Sequence, residues 1–151
     1  MKEFKTIDDI LDFAINSEQE AVDFYNEMAK ISKTEDMRNV FVQFAQEEIG
    51  HKARLTKIKN EGSYEAEPTH IKDLKIADYM VSVKPAADMS YSEALVLAMK
   101  KEKAAFKLYH ELSKRAKNEE MKNVFIALAQ EESKHKLRFE IEYDEFVLRE
   151  N

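Results

Sequence analysis

Apolar residues recur along this chain at helical spacing in four long stretches. At about 100° per residue, Ile7, Leu11, Ala14, Ala21, Tyr25 and Met28 share one face of a helix predicted from about Ile7 to Ile31. Val40, Phe41, Phe44, Leu55 and Ile58 share a face of a second, from about Glu35 to Lys59. A third, from about Ser90 to Ala116, carries Leu95, Ala98, Ala105, Tyr109 and Leu112, and a fourth, from about Glu119 to Val147, carries Phe125, Leu128 and Phe139. Ser90 followed by Glu93 forms the sequence signature of a capping box at the third helix. The turns Ser32-Lys33-Thr34 and Lys117-Asn118 are short enough to force antiparallel neighbours. The fold class expected is therefore all-α: an antiparallel four-helix bundle of one domain. It comprises a hairpin over 7–59, a crossover over 60–89 and a hairpin over 90–147. In the crossover, Ile71, Leu74, Ala77 and Tyr79–Val81 suit a short helix, and the segment has to run the bundle's length, about 35 Å by helix rise.

The two hairpins are copies of each other. Shifted by 84 positions, residues 8–58 align with 92–142 without a gap, and twenty of those 51 pairs are identical. They include Glu18/Glu102, Ala21/Ala105, Tyr25/Tyr109, Phe41/Phe125, Glu47/Glu131, Glu48/Glu132 and His51/His135. Two copies at so long a period describe a duplicated hairpin rather than a solenoid.

Polar residues interrupt each apolar stripe at matching places. Glu18 and Glu102 lie inside the stripes of the first and third helices, and Glu48 with His51 and Glu132 with His135 inside those of the second and fourth. A bare buried carboxylate costs several kcal/mol, so four together require cations. The heights agree. Glu18 lies 15 residues before Lys33 and Glu48 lies 14 after Thr34, arms of about 21–22 Å at 1.5 Å per residue, and the second copy repeats the arithmetic. Packed face to face, the hairpins bring all six groups to mid-bundle. Each Glu-x-x-His pair shares a face. Four carboxylates balance two divalent ions, and mixed oxygen and nitrogen ligation suits iron or manganese better than calcium or magnesium.

Composition narrows the chemistry. Among 151 residues, acids outnumber bases 30 to 24, for a net charge of −6. That disfavours a nucleic-acid partner held by phosphate contacts. Cysteine is absent, which excludes thiolate catalysis, iron–sulfur clusters and rubredoxin-type iron within this chain. No run of about 18 apolar residues offers a membrane span. The amino terminus lacks a signal-peptide core, so a cytoplasmic location is expected. Gly and Pro number two each. Gly62, Pro68 and Pro85 fall in the crossover. Gly50 alone lies inside a helix, where it costs about 1 kcal/mol against alanine, and close packing of the crossover or of a partner is the expectation there. Glu20, His70 and His110 lie off the stripes and are expected at the surface.

With a Glu and a Glu-x-x-His motif in each half, the chain resembles the ferritin-like di-iron carboxylate superfamily, and within it the rubrerythrins, over about residues 7–147. The resemblance implies a di-iron centre, with manganese and zinc as alternative occupants. It implies Glu18 and Glu102 as terminal ligands, Glu48 and Glu132 as bridges and His51 and His135 as terminal nitrogen ligands. Tyr25 and Tyr109 are either plain core tyrosines or supports for a carboxylate. Metal-bound histidines donate their second ring N–H to an outer acceptor. The resemblance offers Glu47 for His135 and Glu131 for His51, the alternative being two solvated glutamates. Rubrerythrins proper add a rubredoxin domain and a second helix-three carboxylate, where this chain has no cysteine and Ala105. The haem methionine of bacterioferritin is replaced by Ile49.

Three functions follow from the resemblance and the ligand set. The first is an oxidoreductase that reacts with O2 or hydrogen peroxide and draws electrons from an external donor protein. The second is a ferroxidase or iron-handling protein, and the third a metal-stabilised structural or sensor protein. The resemblance, with the prevalence of twofold oligomers, points to a homodimer.

Overall fold

The structure, a computed structural model, describes residues 3–81 and 88–150. Four long helices dominate it: α1 (Ile7–Ile31), α2 (Glu35–Glu61), α4 (Tyr91–Arg115) and α5 (Glu119–Glu150), with a short α3 (Pro68–Lys72) and a 3-10 turn (Ile76–Tyr79) between the hairpins. No strand occurs among the described residues. None of the described helices is long and apolar enough to cross a membrane.

The helix ends are fixed by local chemistry. Ser90 and Glu93 close the expected capping box on α4, and Thr6 with Asp9 closes another on α1. The hydroxyl of Thr34 accepts from the Met37 amide, and the Asn118 side chain accepts from that of Met121 at 2.8 Å. These caps satisfy amide donors that the first helical turn leaves unpaired. Gly62 ends α2 in the left-handed conformation, at φ 63°, where a side chain is disfavoured.

The crossover helix predicted as one piece is two. Proline starts α3 at its first turn, where the missing N–H is no loss. The chain then extends at Lys75 before the 3-10 turn. Ile71, Leu74 and Tyr79 are buried against the core. The Tyr64 hydroxyl donates to the Leu112 carbonyl at 2.7 Å, and the Lys117 amide to the Glu65 carbonyl at 2.9 Å. The crossover thereby closes one end of the bundle. Pro85 lies outside the described residues.

Packing is uneven. α1 runs tightly along α2 and α4 along α5, whereas α1 and α4 touch only sparsely. The apolar core is split into two clusters at opposite ends of the bundle, one around Leu11, Leu55, Tyr109 and Phe125, the other around Tyr25, Phe41, Leu95 and Phe139. Between them lies a layer of buried polar side chains.

The expectation that the crossover packs closely at Gly50 is corrected. Nothing lies within 4 Å of a β-carbon built there, and its φ is negative. The glycine therefore carries only its entropic penalty. Gly50→Ala is expected to stabilise the fold by about 0.5–1 kcal/mol, read from the midpoint of a denaturant titration.

Candidate metal centre

Glu18, Glu48, Glu102 and Glu132 are each at most 2% exposed, and His51 and His135 at most 3%. They form the polar layer between the two apolar clusters. The antiparallel hairpin arms carry them to one height, as the residue arithmetic requires.

Their donor atoms fall into two overlapping groups. One comprises Glu18, Glu48, His51 and Glu132, and the other Glu48, Glu102, Glu132 and His135; within each, one ligand atom per residue lies within 4.8 Å of every other. Glu48 and Glu132 belong to both. His51 Nδ1 is 3.0 Å from Glu132 Oε1, 3.2 Å from Glu48 Oε1 and 3.5 Å from Glu18 Oε2. His135 Nδ1 is 3.5 Å from oxygens of both Glu48 and Glu102.

The outer atoms of the same side chains are engaged. His51 Nε2 lies 3.0 Å from Glu131 Oε2, and His135 Nε2 lies 3.3 Å from Glu47 Oε1. Each half-exposed glutamate thus meets the histidine of the opposite hairpin, as the resemblance offered. The tyrosine hydroxyls donate to carboxylates, also across the hairpins: Tyr109 to Glu18 Oε1 at 2.5 Å, and Tyr25 to Glu102 Oε1. Burial and then those carboxylates hold both phenols well above their ordinary range, so they remain donors.

The inner atoms have no such partners. Glu18 Oε2, Glu48 Oε1, Glu102 Oε2, Glu132 Oε1 and both histidine Nδ1 atoms are buried without a hydrogen bond. A native interior rarely leaves even one buried polar atom unsatisfied, and here six converge. Each imidazole is anchored at Nε2 and bare at Nδ1, the arrangement a metal-bound histidine requires. The residues fit a pair of divalent ions: four carboxylates and two imidazole nitrogens, with two carboxylates common to both positions.

Without ions, the layer holds protons instead. Burial, and then the charges of Glu102 and Glu18, push Glu48 up to about 8. Burial and the other three carboxylates hold Glu132 well above the carboxylate range. Burial opposes charge on the histidines, but Glu18 and Glu48 outweigh it and lift His51 to about 11; His135, beside Glu102, rises to about 9.

Other sequence expectations fall into place around this layer. Glu20, His70 and His110 are exposed, and Ile49 is 43% exposed. Ala105 brings no seventh ligand. One neighbour escaped the sequence reading. Phe44 stacks on His135 with ring centroids 3.9 Å apart, while the repeat places Leu128 at the corresponding position beside His51. The apolar stripe alone does not distinguish a core ring from one lying on an imidazole.

Removing an outer acceptor tests the anchoring. Glu131→Ala frees His51 Nε2 and is expected to weaken divalent-ion affinity about 10–100-fold, measured by competition with a chelating dye.

The family model described as Rubrerythrin matches residues 9–91 and 93–151. Among solved structures, a hypothetical protein from Pyrococcus furiosus is similar, with a TM-score of 0.71 and 25% identity over 95% of each chain. No curated protein matches the chain.

Proposed function

Because the chain belongs to the rubrerythrin family, we propose that its buried layer holds two iron ions and that the protein is a di-iron oxidoreductase reacting with O2 or hydrogen peroxide. The observation that carries this reading is the set of six unpartnered inner atoms on side chains whose outer atoms are engaged. Glu18 and His51 would hold one ion and Glu102 and His135 the other, with Glu48 and Glu132 shared. When bound, an iron pair would supply redox chemistry toward O2 or hydrogen peroxide. Manganese or zinc would fit the same donors without that chemistry being equivalent.

The protein's own contribution is placement. Glu131 and Glu47 fix the ring orientation of His51 and His135, and the tyrosine hydroxyls hold one oxygen of Glu18 and one of Glu102. In Glu18 the second oxygen, Oε2, is thereby left facing His51 Nδ1 at 3.5 Å. Apolar clusters flank the layer towards both ends of the bundle, a low-dielectric setting that strengthens its electrostatics. Two positions sharing two carboxylates are held as a unit. With no cysteine in the chain, electrons come from an external donor protein.

The test is anaerobic loading with Fe(II), followed by O2 or peroxide, with Fe(III) absorbance and its reversal by a reductant followed in time. Repeated turnover with peroxide supports the reading. Accumulation of ferric mineral without turnover assigns the protein to iron handling. A large thermal shift with no reaction assigns the ions to stability alone. Zinc that never exchanges overturns the redox reading.

A further inference from the structure

The proposed ligands are almost wholly buried, yet ions have to reach them. The sparse contact between α1 and α4 leaves a groove of about 800 Å³. All four carboxylates of the layer line it, and neither histidine does. The groove therefore meets the layer on its carboxylate side, opposite the face where Glu47 and Glu131 hold the imidazoles. Its walls include small side chains, Ala21 and Ala105, at the two positions just past Glu18 and Glu102. At its rim on α1 stand Glu20 and Asp23, both exposed. Among the described residues one cationic side chain, Lys101, also lines it, with its ammonium 5.6 Å from the centroid of the Phe24 ring and within electrostatic reach of Glu20 and Glu102.

We propose that this groove is the route by which divalent cations reach the buried layer, with Glu20 and Asp23 as the capture carboxylates and Lys101 as the barrier they pass. The inference rests on the metal-binding reading above and adds a path and its residues. The rim acids alone would be an ordinary solvated face. What distinguishes them is that the same groove is lined by Glu18 and Glu102, each with a buried oxygen that has no hydrogen-bond partner. Exposed carboxylates at the mouth of a cleft with low-dielectric walls raise local cation concentration and on-rate, and Lys101 opposes them. Hard carboxylate oxygens are met first, so a hydrated ion exchanges water for oxygen before it meets imidazole nitrogen. The repeat underlines the design: the position matching Glu20 is Ala104 and that matching Lys101 is Ser17, so only the α1 side of the rim attracts cations.

Stopped-flow uptake of Co(II) by the full chain, followed by its visible absorption under low salt, tests the route. The double variant Glu20→Gln/Asp23→Asn is expected to slow uptake about three- to tenfold, with two ions still bound at saturation. Lys101→Gln is expected to accelerate it. Added salt should reduce the difference between wild type and the double variant. If wild type loads two ions at a rate that neither variant changes, the route is overturned and the metal site stands. If wild type takes up no ion, both fall.

Discussion

Glu132→Gln is expected to abolish tight binding of both ions, whereas Glu102→Gln leaves one. The difference follows from sharing: Glu132 belongs to both donor groups and Glu102 to one. Losing an outer partner of a ligand already weakens a site about 10–100-fold, so losing a ligand common to both positions exceeds that for each. Elemental analysis after dialysis against a weak chelator reads two ions in wild type, one in Glu102→Gln and none in Glu132→Gln. The stabilisation that ions confer, about 4 kcal/mol at a thousandfold excess over Kd, should disappear with Glu132→Gln. Its metal-free fold should nevertheless match wild type near neutral pH. Burial and its carboxylate neighbours keep Glu132 protonated there, and a protonated glutamate is nearly an amide in shape and charge. A variant that still binds two ions would refute the shared role.

Uptake of two divalent ions at neutral pH is expected to release about four protons. Below about 8 Glu48 is protonated, Glu132 is held well above the carboxylate range, and His51 and His135 stay charged to about 11 and about 9. Each entering divalent ion displaces two of these protons, one from a carboxyl and one from an imidazolium ring. The ions replace the protons. Titration calorimetry in buffers of different ionisation enthalpy counts the protons released, and a count near zero would refute the exchange. Affinity should rise with pH through the range in which Glu48 and His135 give up their protons. Metal-free stability should move the opposite way. All four groups have folded values raised above their unfolded ones, so the native state binds more protons and its stability falls as pH rises. Glu48 contributes this loss between its ordinary 4.5 and about 8, and His51 between 6.5 and about 11. Each group gives a slope of up to about 1.4 kcal/mol per pH unit. Urea titrations of chelator-treated protein across that range should show it, and the ion-loaded protein should not.

The long helices and the coincidence of the six groups were legible because both depend on counting residues along an axis. A rise of 1.5 Å per residue and two short turns fix height, and a 100° step fixes face. Directions across the bundle were less legible. Tyr25 lies on the same helix as Glu18, but its hydroxyl reaches Glu102, and only the distance between helices decides which carboxylate a phenol touches. The same limit hid the groove: a stripe of apolar residues does not reveal an open groove between α1 and α4. Lys101 read as one of many lysines on a charged helix face. The crossover divided in two because extended backbone at Lys75 interrupts an otherwise helical apolar spacing. Gly50 looked meaningful beside the ligands, yet it meets open space.

Every outer hydrogen bond described for the layer crosses from one hairpin to the other: Tyr25 to Glu102, Tyr109 to Glu18, His135 to Glu47 and His51 to Glu131. A half-length chain with only one hairpin could complete these bonds only by pairing with a twin, so an ancestor of that length would have kept its chemistry at a subunit boundary. Fusing the twins removes the dependence of the site on protein concentration. It also lets the halves drift apart one residue at a time, as Phe44 against Leu128 and Lys101 against Ser17 already have.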